Sequence, residues 1–169
     1  MPNLEKYKIV LHLRDPRDIL TSMYFSWAYS HAVPSLETQK LSFLEFRKKV
    51  SETGIDDFVI SSTKELKNRF DSYFQHLLNK PNVLWVKYED MVYDFRNWME
   101  TVVDFCGLET NQETVNQLIE SADFSVSQEN IYNHKRQVLP GDHQRKLNVN
   151  TINYLNKEFE EALEILDYK

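Results

Sequence analysis

The sequence predicts an α/β protein, on three observations. Two short runs, residues 8–13 (Lys-Ile-Val-Leu-His-Leu) and 83–87 (Val-Leu-Trp-Val-Lys), are apolar and carry β-branched residues, as strands buried on both faces do. Helical apolar spacing fills much of the chain between them, so a long crossover joins them and they run parallel. Each run is followed by charged residues and then by a further helical pattern.

The first junction organises the rest. After the strand come Arg14-Asp15-Pro16-Arg17-Asp18, then Ile19-Leu20-Thr21-Ser22. Pro16 suits a first helical position, because its φ is already helical and its missing N–H has no partner there. Asp15 can cap the new helix. Ile19, Leu20, Met23, Tyr24 and Trp27 then fall on one side of it. Arg14 thus stands where a buried strand ends and a helix starts. Open α/β sheets bind ligands at that place, and helix N-termini favour anions. Ser22, two turns in, has a hydroxyl that can serve the same anion.

Residues 32–40 read as a loop around Pro34. Residues 41–50 read as a short helix whose Ser42 and Glu45 resemble a capping box, with Gly54 ending it. Residues 56–62 are ambiguous. Residues 63–79 form an amphipathic helix through Leu66, Phe70, Tyr73, Phe74, Leu77 and Leu78, with Thr63 as cap and Pro81 as stop. The second strand ends in Tyr88-Glu89-Asp90. Helices are predicted over residues 92–107 (Gly107 as C-cap), 114–122 and 151–166, and residues 123–148 show no periodicity. Two parallel strands make a poor sheet alone, so the expectation is one domain over residues 1–169 that is part of a larger α/β domain. The neighbouring strands would come from elsewhere, and an oligomer or partner chain could complete the sheet.

Composition narrows the function. A net charge of −6 argues against general nucleic-acid binding. A lone cysteine, Cys106, excludes an internal disulfide and a multi-cysteine metal site, and its apolar helical setting predicts a buried, inert thiol. No apolar run approaches membrane-spanning length and no signal peptide precedes the first strand, so a cytoplasmic protein is expected. The three glycines, Gly54, Gly107 and Gly141, are too scattered for a glycine-rich phosphate loop. Residues 134–146 are the most basic window: Lys135, Arg136, Arg145 and Lys146 meet one acid, Asp142. Backbone N–H groups in such a loop can cradle an anion.

Taken in order, these pieces resemble the sulfotransferases that use 3′-phosphoadenosine 5′-phosphosulfate. The resemblance runs from about Tyr7 to the end. It implies a P-loop-NTPase-like sulfotransferase fold, here an incomplete parallel sheet flanked by helices. By resemblance Arg14 and Ser22 hold the donor's 3′-phosphate, a role that suits the permanently charged fork of arginine. Tyr88 of Tyr88-Glu89-Asp90 would contact the adenine, and Phe124 would be the second adenine-side aromatic. Arg136 through Gly141-Asp142 is similar to the family's late phosphate loop. It departs at Gln137 and Val138, which stand for Lys and Gly, and at His143, which stands for the usual Trp. Lys135 would supply the lost charge.

The family's phosphosulfate-gripping loop, its catalytic lysine and its histidine base lie upstream of the segment that begins here at Tyr7. The resemblance therefore implies the C-terminal portion of a sulfotransferase, inactive alone. The whole enzyme would pass a sulfuryl group to a hydroxyl or amine of a small-molecule or glycan acceptor, without a metal. Among the histidines, His12 reads as a sheet residue, and His31, after the first helix, is the least poor candidate base. The alternative is a non-catalytic, truncated sulfotransferase-like module that binds a nucleotide or serves assembly. The absent glycine-rich loop counts against a P-loop kinase relative.

Overall fold

The computed structural model describes residues 3–168. In chain order its elements are β1 (Ile9–Leu13), α1 (Pro16–Phe25), α2 (Glu37–Thr53), α3 (Ile55–His76), β2 (Val83–Lys87), α4 (Tyr88–Tyr93), α5 (Phe95–Cys106), α6 (Gln112–Ser121), α7 (Asp142–Lys146), α8 (Val149–Glu158) and α9 (Glu160–Ile165). A 3-10 turn (Leu4–Lys6) precedes β1, and a π-helical turn (Ser26–Ser30) extends α1. The described residues divide into two compact units, one of residues up to 14 with 72–125, the other of 15–71 with 126 onward.

In the first unit β1 and β2 pair in parallel, from Ile9 opposite Val83 to Leu13 opposite Lys87. Among the described residues the sheet has these two strands. Asn82 ties the chain ahead of β1 to β2, its side-chain amide donating to the carbonyls of Leu4 and Tyr7, both at 2.9 Å. The strands are not buried on both faces as their composition predicts. Leu13 and Val86 are buried, but His12 and Trp85 are exposed. A buried strand needs cover on both sides, and the described residues of this unit do not supply it. Cys106, expected to be buried, is half-buried at the end of α5. Asp94 caps α5 by accepting from Asn97 N–H, and Gly107 closes it at φ 68° with the N–H of Leu108 on the carbonyl of Val103. Glycine adopts that left-handed conformation at the least cost, having no Cβ.

In the second unit α1 begins as its sequence dictates. The Asp15 carboxylate accepts from Arg17 N–H at 2.9 Å, with Pro16 as first helical residue. Asp15 also takes the Arg17 guanidinium, whose other arm donates to Asn156 of α8 at 2.7 Å. The core holds Tyr24, Ala28, Val50 and Phe58, with Met23, Trp27 and Ile55 packed against it. Helix α2 starts at Glu37, inside the expected loop; residues 37–40 contain no apolar residue, so they show no helical period in the sequence. Ser42 is therefore no cap: its hydroxyl donates to Gln39 O within the helix. Helix α3 starts at Ile55 rather than Thr63, with Asp56 and Asp57 at its positive end. Thr63 is buried mid-helix, donating to Val59 O. The final expected helix is two, since Phe159 leaves helical geometry and buries its ring against Phe70.

The Asp15–Arg17 pair is almost fully buried, with side chains 8% and 5% exposed. Removing one member of a buried pair leaves an uncompensated charge, so Asp15→Ala should lower stability by about 3 kcal/mol. Urea denaturation measures it.

Candidate functional site

In the first unit a row of rings runs away from the end of β1. The Arg14 guanidinium lies over the Tyr88 ring, 4.4 Å from its centroid. His12, two residues back on the same face of the strand, stacks on Tyr88 at 6.2 Å and meets Trp98 at 5.3 Å. Trp98 stacks on Phe95 at 5.8 Å, and Phe95 meets Phe124 at 5.3 Å. The row exists because Arg14, Tyr88 and the α5 face carrying Phe95 and Trp98 all follow from the C-terminal ends of the paired strands. Partial burial holds the His12 imidazole below its ordinary value, against the opposing influence of Glu89 and a hydrogen bond with the Lys87 backbone. It is therefore mostly neutral at pH 7, a flat polar ring within an aromatic row. Such faces stack a heteroaromatic base.

In the second unit the basic window folds against α1. Asp18, fully buried at the third position of α1, accepts from Gly141 N–H at 2.8 Å, from His143 N–H at 2.9 Å and from His143 Nδ1 at 2.7 Å. A carboxylate offers only acceptors, so the His143 ring carries its proton on Nδ1. Gly141 holds φ 80°, the turn these contacts require. Arg145 donates to the carbonyls of Leu139 and Pro140 and ties the same turn. Arg136 is 6% exposed. One of its arms donates to Asp142 and the other to Glu129, and its plane lies 3.9 Å over the Phe25 ring. Lys146 donates to the second oxygen of Glu129 at 2.7 Å. Burial alone would raise the Glu129 carboxyl; the hydrogen bonds and charges of Lys146 and Arg136 outweigh it and hold it below the ordinary 4.5.

The residues singled out from sequence fall into two sets. Arg14, Tyr88 and Phe124 belong to the first unit's row. Ser22 is half-buried on α1, and Lys135, Arg136 and Gly141 belong to the second unit's loop, with Lys135 exposed. The Gly141 N–H is engaged by Asp18. His31 follows the π-helical turn, exposed, its ring 4.3 Å from Trp27. Arg47 donates to the carbonyls of Trp27 and His31 and so closes that turn. Sequence reasoning missed Asp18, Glu129, Trp98 and Phe95. An acid at the third helical position was a signal for Asp18. Glu129, seven residues ahead of Arg136, showed none. Among the described residues no cluster of side chains has the makings of a metal site, and no helix is long and apolar enough to cross a membrane.

Comparison with known proteins defines the class. The sulfotransferase domain family matches residues 3–165. The chain belongs to the sulfotransferase family. It is 27% identical to Sulfotransferase 2A6 of Mus musculus over 131 residues, covering 74% of this chain and 40% of that protein. Luciferin sulfotransferase of Photinus pyralis is 28% identical over 131 residues, covering 74% of this chain and 30% of that one. The chain thus spans less than half the length of these curated relatives. A crystal structure of mouse sulfotransferase SULT7A1, complexed with PAP, shares the fold with a TM-score of 0.54 at 21% identity, over 94% of this chain and 59% of that one. The chain accordingly has the α/β sulfotransferase fold, with its P-loop-like architecture.

The lowered Glu129 carboxyl makes a signed prediction. Its folded value lies below its unfolded one, so it contributes stability that is complete above about 4.5 and lost as pH falls through the lower folded value. Glu129→Gln should be less stable than the native protein at pH 7, and the gap should close in acid. Denaturation midpoints measured against pH check it.

Proposed function

We propose that this chain is the part of a sulfotransferase that holds the adenine and 3′-phosphate of 3′-phosphoadenosine 5′-phosphosulfate. The observation that carries the reading is the Arg14 guanidinium seated on Tyr88 at the head of the ring row. A fixed cation beside aromatic faces is the donor set that a phosphorylated nucleoside asks for. The family match and the PAP named in the mouse structure support the same ligand.

In this reading Tyr88 and Phe124 face the adenine, and Arg14, Ser22, Lys135 and Arg136 serve the 3′-phosphate, with Gly141 shaping the late loop. The cosubstrate supplies the sulfuryl group that a small-molecule or glycan hydroxyl or amine accepts. This chain's residues bind and orient the nucleotide, and its charged groups stay out of the transfer itself. No glycine-rich loop in the sequence suits the phosphosulfate. The residues that activate the acceptor and stabilise the bridging oxygen belong to the part of the enzyme this chain does not match, and the chain by itself transfers nothing.

Titration calorimetry with 3′-phosphoadenosine 5′-phosphate tests the reading. The native chain should bind, and Arg14→Ala should bind about 10- to 100-fold more weakly, the loss expected for a charged hydrogen bond. A folded sample that gives no nucleotide-dependent heat overturns the proposal and leaves the non-catalytic module.

A further inference from the structure

We infer that Glu129 plugs an anion cradle formed by Arg136 and Lys146, with the Arg136 guanidinium backed by the Phe25 ring, and that a phosphate monoester enters by exchange with this carboxylate. The inference rests on the reading above and adds Lys146 and Glu129 to it.

Three observations converge on the exchange. First, the cradle has the chemistry of a phosphate site. Arg136 presents a two-armed fork and Lys146 a point charge, and both reach the same carboxylate, one on each oxygen. A carboxylate offers such a pair two acceptor oxygens and a phosphate monoester offers three, so either can accept from both cations at once. Second, the fork is held in place independently of the plug. Its other arm is fixed by Asp142, which is 1% exposed, and its plane rests on Phe25. Asp142 is in turn fixed by the Asp18 contacts on either side of it, to Gly141 and His143. Withdrawing Glu129 therefore leaves an organised site. Third, Glu129 is the member that can leave. Its side chain is 28% exposed, against 7% for Arg136 and 1% for Asp142. It sits in the segment between α6 and α7, where no helix or strand fixes the backbone.

Charge counting agrees. Arg136, Arg145 and Lys146 face Glu129 and Asp142, so the cluster carries about one net positive charge with the plug in and two with it out. Arg136 is buried while Lys146 is 28% exposed, so loss of the carboxylate costs most at Arg136, and a dianion in its place restores the balance. The exchange favours a phosphate monoester over a monoanion, because the entering group must outbid a carboxylate already bound by two cations.

The test compares native protein and Glu129→Gln by calorimetry, with 3′-phosphoadenosine 5′-phosphate and with adenosine 5′-phosphate, after a thermal melt confirms that both are folded. Glu129→Gln should bind the bisphosphate about tenfold more tightly, with the 5′-monophosphate unchanged. Equal bisphosphate affinity in the two proteins overturns the exchange and leaves the proposed function standing. An equal gain for the 5′-monophosphate overturns the assignment to the 3′-phosphate. Absence of binding by either protein overturns the exchange and the proposed function together. Should the variant not fold, the native protein answers by NMR. The Glu129 side-chain carboxyl resonance should move as the bisphosphate saturates the protein, and an unmoved resonance overturns the exchange.

Discussion

The Asp18 carboxylate is the contact on which the second unit's candidate site depends. It joins the first turn of α1 to a turn more than a hundred residues away, through two backbone N–H groups and an imidazole. Its position at the third residue of the helix places it where the helix end favours negative charge, which offsets part of the cost of burying it. Without those acceptors the half-buried N–H of Gly141 and the buried N–H of His143 would lose their partners. Because Asp142 lies between the two anchored residues, the same contact decides where Arg136 is held.

This arrangement puts stability and ligand affinity in opposition. The cluster of Arg136, Arg145, Lys146, Glu129 and Asp142 is well satisfied as it stands, and satisfied cations bind a further anion weakly. Functional residues commonly carry such conflicts, with local stability lowered where a ligand must be accommodated. Here the conflict has the opposite sign. The cluster is satisfied as it stands, and in the proposed exchange binding breaks an existing ion pair.

The first unit solves a different problem. Its two strands expose His12 and Trp85, and the rings of His12, Tyr88, Trp98, Phe95 and Phe124 contact one another in a row, some stacked and some tilted. Aromatic faces tolerate partial exposure better than aliphatic side chains because their quadrupoles attract cations and polar edges. Arg14 on Tyr88 is one such contact. The row is therefore stable while half open, and a planar base can add to it without displacing a packed core.

Much of the fold was legible in local sequence. Pro16 after Asp15, the two apolar runs and the Gly54 and Gly107 breaks each rest on chemistry within a few residues, and each stands where it was expected. The failures have one cause. Residues 37–40 and 56–62 lacked a visible period, Thr63 and Ser42 looked like caps when seen from their neighbours alone, and Phe159 broke a helix whose pattern was unbroken. The candidate site divided in the same way. Residue types announced the cations, because an arginine at a strand end and a basic loop are local facts. Their partners were not announced. Glu129 and Asp18 became what they are by approaching Arg136 and His143 in space, and hydrogen-bond pairing across long sequence separations leaves no periodicity to read. The sequence by itself determined which charges this protein carries to its candidate nucleotide site. Only the tertiary structure decided that one of the decisive ones, Arg136, is already held by carboxylates of its own chain.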